Sequence, residues 1–230
     1  MLKNHFALYG FLGLALVLFA CQTNVQKTEK EKMVFINYYS RYLQNDRLFR
    51  AEADFFIGDS IQNAQAVEMA AVSFQGGSME LKSLPNRASR YKTERRGNFQ
   101  SHLQFKYEDS QGKDHTTDFQ LDPIESFLFK GDISQSKGFT LVWKGLPLAA
   151  GESLLLLFAD QTNKAGSTEI KGPTSRSESH FSGDFLKDLE TGSGVLLIVR
   201  SKKGVKKEAL QIINYELSYY SAPQDINIDK

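Results

Sequence analysis

The chain is poor in cysteine, tryptophan and proline: one, one and five of them in 230 residues. The single cysteine, Cys21, excludes a disulfide framework, and it leaves the rest of the chain without a thiolate nucleophile or a cysteine metal site. Net charge is also missing, since 28 basic residues face 27 acidic ones. A chain so balanced lacks the strong basic field that nucleic acid demands, so no nucleic-acid partner is expected. There is no GxSxG elbow and no HxH or HExxH spacing. What the chain has in quantity is aromatic residues, with 17 Phe and 9 Tyr. Aromatic abundance with little proline marks a body that folds.

Long apolar runs are few, and the first stands at the amino terminus. Lys3 is followed by an uncharged stretch from Phe6 to Ala20 that ends at Cys21. A short basic start before a compact apolar run is a secretory signal pattern. The run is shorter than the roughly 20 residues a membrane-spanning helix needs, and Gly10 and Gly13 interrupt it. An ordinary signal cleaved after Ala20 would place the large Leu18 at −3, where a small residue is wanted. Leu18-Phe19-Ala20-Cys21 resembles instead the lipobox of bacterial lipoproteins, with Leu at −3, a small residue at −1 and then cysteine. Phe19 departs from the small or hydroxylated residue usual at −2. The resemblance implies cleavage before Cys21, a diacylglyceryl thioether on its sulfur and an N-acyl chain. Several acyl chains hold far more firmly than the single chain that binds only marginally. Gln22 in place of Asp is similar to the outer-membrane class. The expected signal peptide is 1–20, and 21–33 is a polar, charged tether. Without Lys3 the mature chain balances its 27 acidic residues.

Residues 33–45 are ambiguous. Phe35, Tyr38, Tyr39 and Tyr42 have helical spacing, whereas Val, Ile and Tyr favour strands. The reading adopted is a short helix leading into a strand. From Leu48 onward strand signals dominate. Leu103, Phe105 and Tyr107 alternate with His102, Gln104 and Lys106, the pattern of a sheet with one wet face. Gly76-Gly77 and Lys203-Gly204 read as hairpin turns. Leu154–Phe158 and Val195–Val199 are continuous apolar runs, as in strands covered on both faces. Asp122-Pro123-Ile124 reads as a joint. One helix is expected near 183–190, capped by Ser182 and stopped by Gly192. The fold class is therefore all-β: two antiparallel β-sandwich modules in tandem, immunoglobulin-like in size, over 34–123 and 124–222. Residues 223–230 read as a loose tail.

Candidate chemistry is sparse. His102, His115 and His180 read as surface or turn residues. Asp160-Gln161-Thr162-Asn163 could offer calcium oxygens, yet an Asx-type turn suits its low acidic density better. Gly192-Ser193-Gly194 lacks the strand-then-helix order of a phosphate cradle. Trp143 shares a face with Phe139 and Leu141 and belongs in the core. Tyr38, Tyr39, Tyr42 and Tyr220 are better candidates for aromatic platforms. Lys202, Lys203, Lys206 and Lys207 read as solvated lysines at a hairpin tip. No catalytic residue, metal or cofactor is expected, and the one modification site is Cys21, the lipid acceptor. The expected function is a membrane-anchored envelope module, non-enzymatic, engaging another envelope protein or a glycan. The alternative is a carbohydrate-active or other hydrolase with dispersed carboxylates.

Overall fold

The computed structural model describes residues 32–84 and 89–230. The expected signal peptide 1–20, read from sequence as a signal helix, Cys21 and the expected tether up to residue 31 lie outside the described residues.

The described chain is all-β, with seventeen strands. Its first half contains β1 (Met33–Leu43), β2 (Leu48–Gly58), β3 (Gln65–Ala66), β4 (Ala71–Phe74), β5 (Gly77–Ser78), β6 (Glu80–Ser83), β7 (Ser89–Arg96), β8 (His102–Glu108) and β9 (Asp114–Gln120). Its second half contains β10 (Ser126–Ser134), β11 (Gly138–Lys144), β12 (Glu152–Asp160), β13 (Ala165–Lys171), β14 (Glu178–Phe181), β15 (Gly192–Glu208), β16 (Gln211–Tyr220) and β17 (Gln224–Asp229). Two sheets arise among the described residues. The larger runs β14-β11-β10-β17-β15-β16-β1-β2-β7-β6, with β12 and β13 attached to β15 and with β3 on β2. The smaller runs β5-β4-β8-β9.

Residues 33–43 are strand throughout, which corrects the helix expected at their start. Tertiary pairing overrides the helical spacing, because β1 lies antiparallel to β2 and parallel to β16. Its alternation buries Ile36, Tyr38 and Tyr42. Tyr38 meets the smaller sheet by stacking on Phe105 at 4.3 Å, and Phe55 of β2 meets Tyr107 there at 5.0 Å, whereas Tyr42 packs on Phe49, Phe99 and Tyr219. Ala51 and Ala53 on β2 are buried among them and leave space for the larger rings. The result is a sandwich-like pair of layers, each fully buried large apolar side chain contributing about 1.5–3 kcal/mol.

The 17-residue β15 runs through both halves. Residues 194–202 pair with β12, 199–208 with β16, and 192–196 with β17. Gly204 therefore does not turn a hairpin. It lies mid-strand opposite Tyr215, whose ring covers it so closely that an added Cβ would sit 2.5 Å from the hydroxyl. The reversal comes at Ala209, where the backbone has φ +43°.

The tail is not loose either. β17 pairs antiparallel with β15 and parallel with β10, and Ile228 is fully buried. The expected helix is only a 3-10 turn, Gly183–Leu186. Ser182 caps it as anticipated, accepting from the Asp184 amide. It stays short because Gln135 Nε2 takes the Leu186 and Leu189 carbonyls at 3.1 and 2.7 Å. Leu186 and Leu189 close a core containing Phe139, Trp143, Phe158 and Phe181. The residues 121–125 do form a loop between β9 and β10. Strands from before and after that loop share the larger sheet through β1 and β16, and one core connects them.

Candidate functional site

Strand parity decides which side chains face outward on β2, β1, β16 and β15. One row across these strands is Arg50, Arg41, Ser218 and Ser201; the next is Glu52, Tyr39, Glu216 and Lys203. Of these, Arg50, Arg41, Ser218, Glu52, Tyr39 and Glu216 line, with Ser40 and Tyr220, a shallow groove of about 260 Å³ on the open face of the larger sheet, and Ser201 and Lys203 stand beside it on β15. Tyr38 and Tyr42 point into the core, while Tyr39 is 39% exposed and Tyr220 half-buried. Of the four tyrosines singled out by sequence, two line the groove and two are packing.

Most charges of this face are paired. Arg90 grips Asp54 with two bonds of 2.7 Å, reaches Glu52 at 2.8 Å, and lies over the Tyr39 ring at 5.9 Å. Lys92 meets Glu52 at 3.1 Å, Lys203 meets Glu216 at 2.9 Å, and Arg50 meets Glu94 at 2.8 Å. Arg41 is exposed and has no ion-pair partner among the described residues. It stands directly opposite Arg50 in the β1–β2 register. Sequence reasoning missed this pair. An alternating strand reading of 33–43 would have put Tyr39 and Arg41 on one face, but only the fold supplies β16 as their neighbour.

A second concavity, of about 510 Å³, opens at the end of the layers where Lys32 begins the described chain. One wall is apolar, with Val34, Ile57, Val67 and Met69; the other carries Asp109 and His115. His115 stacks on Tyr107 at 4.6 Å and contacts Asp109 Oδ2 through Nε2 at 2.7 Å and the Gln211 amide through Nδ1 at 2.8 Å. Nε2–H donating to Asp109 and Nδ1 accepting from Gln211 satisfies every partner. The bond to His115, with amides of Lys113 and Gln111, holds the Asp109 carboxyl below its ordinary range. Both ring nitrogens are thus engaged in fixing the β8–β9 turn to β16. The arrangement orients a wall and offers no free nitrogen to a ligand.

The other sequence candidates are scattered. His102 meets Asp118 at 3.2 Å, and His180, in β14 and not in a loop, meets Thr140 at 3.2 Å. Asp160 forms the Asx-type turn: its Oδ1 accepts from the Thr162 amide and hydroxyl and the Lys164 amide, and its Oδ2 from the Glu190 amide. The Glu190 bond leads in holding its carboxyl down to about 2. Four donors occupy the oxygens that calcium would need. No group of three or more metal-ligating side chains occurs among the described residues. Gly192-Ser193-Gly194 opens β15 and leads into no helix. Trp143 is buried, and its Nε1 donates to the Leu146 carbonyl at 3.2 Å. The four lysines sit along β15 and not at a hairpin tip. Lys202 and Lys206 reach the Gln120 and Asp118 carbonyls, while the outward Lys203 takes Glu216. Alternation divides the cluster between two faces, so it forms no single basic patch.

No protein-family model matches the chain, and no curated protein is similar to it.

Proposed function

We propose that the chain is a lipid-anchored envelope protein whose β body is a non-enzymatic binding module. Residues 1–20 act as the leader, Cys21 carries the lipid, and residues 22–32 are the leash. Gln22 after the cysteine favours the outer membrane. The body is read as two sandwich modules in tandem, immunoglobulin-like in size only, with β15 as their common strand.

The observation that carries the binding reading is the open-face groove. Its floor is three paired strands, β2, β1 and β16, so the outward side chains are held on a rigid platform, which favours recognition at low ordering cost. The charged network around Tyr39 is built from Arg90, Glu52 and Lys92 on this face and is anchored through Arg90 to the buried Asp54. Glu52 and Glu216 both face the groove, the disposition the hydrolase alternative would use. Each is already engaged by a cation, which suits them to accept hydrogen bonds from a ligand.

Envelope fractionation of cells making the native chain and Cys21→Ala tests the anchor. The native protein is expected in the outer-membrane fraction and the variant in the soluble fraction. Equal membrane recovery of both would remove the lipid from the account.

A further inference from the structure

Arg41 and Arg50 face each other across β1 and β2. Like charges directly opposite in an antiparallel pair are destabilising. Glu94 relieves Arg50, but nothing among the described residues relieves Arg41. Its neighbours on the same face are Tyr39 two residues along the strand, Ser218 beside it on β16, and Tyr220 on the diagonal. The fold thus holds one uncompensated guanidinium between two partly open tyrosine rings, in a concavity of about 260 Å³.

We infer that this groove binds a saccharide bearing a carboxylate; the inference rests on the binding-module reading and names its ligand class. A guanidinium matches a carboxylate in a bidentate fork, which a point charge does not. Tyr39 and Tyr220 present amphipathic rings, apolar in the body and polar at the tip, suited to the mixed surface of a sugar ring. Ser218, whose hydroxyl lies 3.2 Å from that of Ser201, and the carboxylate of Glu216 supply partners for ring hydroxyls. Charge decides against other anions. Glu52, Glu216 and Glu94 ring the two arginines, so the face has one cation to spare, too few to hold a polyphosphate, a nucleic acid or an anionic bilayer. One carboxylate per bound ring fits that balance.

The test is calorimetric titration of the detergent-solubilised full chain with four probes: tetragalacturonate, its fully methyl-esterified form, galacturonate alone and inorganic phosphate. Saturable binding of the tetramer is expected. Methyl esterification and Arg41→Ala should each weaken it by about tenfold or more, the worth of a charge-assisted bond. Arg41→Lys should fall between, and Lys113→Ala, at the other concavity, should match the native chain. Weaker binding of the single sugar would point to a residue within a longer glycan; equal binding would point to a free acidic sugar, and either result supports the carboxylate class. Equal affinity for acid and ester, indifference to Arg41→Ala, no saccharide binding, or displacement by equimolar phosphate would each overturn the inference. Arg41 is exposed and stands opposite Arg50, so Arg41→Lys should melt with the native chain and Arg41→Ala at or slightly above it. The fractionation of Cys21→Ala reads the anchor separately. Uronate binding by an unanchored chain would overturn the anchor alone, and an anchored chain without uronate binding would overturn the ligand class alone.

Discussion

Arg200 is 1% exposed, against a core built mainly of aliphatic and aromatic side chains. Its Nη2 donates to Glu152 Oε2 at 2.6 Å and its Nη1 to the Leu146 carbonyl at 3.3 Å. Burial pushes the Glu152 carboxyl up, but the Arg200 and Ala149 bonds and the charges of Arg200 and Lys202 outweigh it and hold the group below its ordinary range. The pair thereby ties the 145–151 loop to β15 and β12. Removing one partner strands the other charge in the core. Arg200→Met should cost about 3–5 kcal/mol in chemical denaturation, and adding Glu152→Leu should restore most of that loss. A small effect of the single variant would contradict a buried, paired charge. At this scale the sequence was readable wherever alternation was strict. Trp143 with Phe139 and Leu141, and Leu103 with Phe105 and Tyr107, are buried as their spacing implies. Arg200 and Glu152 were not readable, since their partnership spans 48 residues and depends on the β12–β15 register. Arg41 was hidden for a related reason: its meaning lies in Arg50 and Ser218, which pairing alone brings beside it.

Elements follow the same division. The strands at 102–107 and 139–143 were legible because alternation over a short span implies one buried face. The start of β1 was not, because its aromatic spacing also fits a helix and the choice is made by β2 and β16. Lys203-Gly204 carried a turn signal, yet the Tyr215 ring covers that glycine within a continuous strand. β17 was hidden by its polarity. Only Ile226 and Ile228 point to burial, and the strand exists because β15 and β10 accept it on either side. Truncation after Pro223 checks this. Losing Ile228 burial and both pairings should lower the melting temperature by about 5–10 °C and blunt cooperativity. An unchanged melting curve would return residues 224–230 to the status of a tail.

For the whole molecule, residues 32–230 make one compact unit, unified by β15, which no local signal in its sequence announces. Its 17 residues read as one short apolar run followed by a lysine-rich stretch, and their unity comes from three different partners along one strand. The all-β class was legible from alternation and glycine turns, whereas the sharing of strands between halves was not. The proposed function joins this rigid body to a lipid through eleven residues from Gln22 to Lys32, polar apart from Val25, and the lipid is its most consequential element. Intact-mass spectrometry of the native chain extracted from membranes measures that directly. The expected species is a polypeptide beginning at Cys21 with the added mass of a diacylglyceryl group and an N-acyl chain. A chain retaining residues 1–20, or one beginning at Cys21 with no added mass, would contradict it.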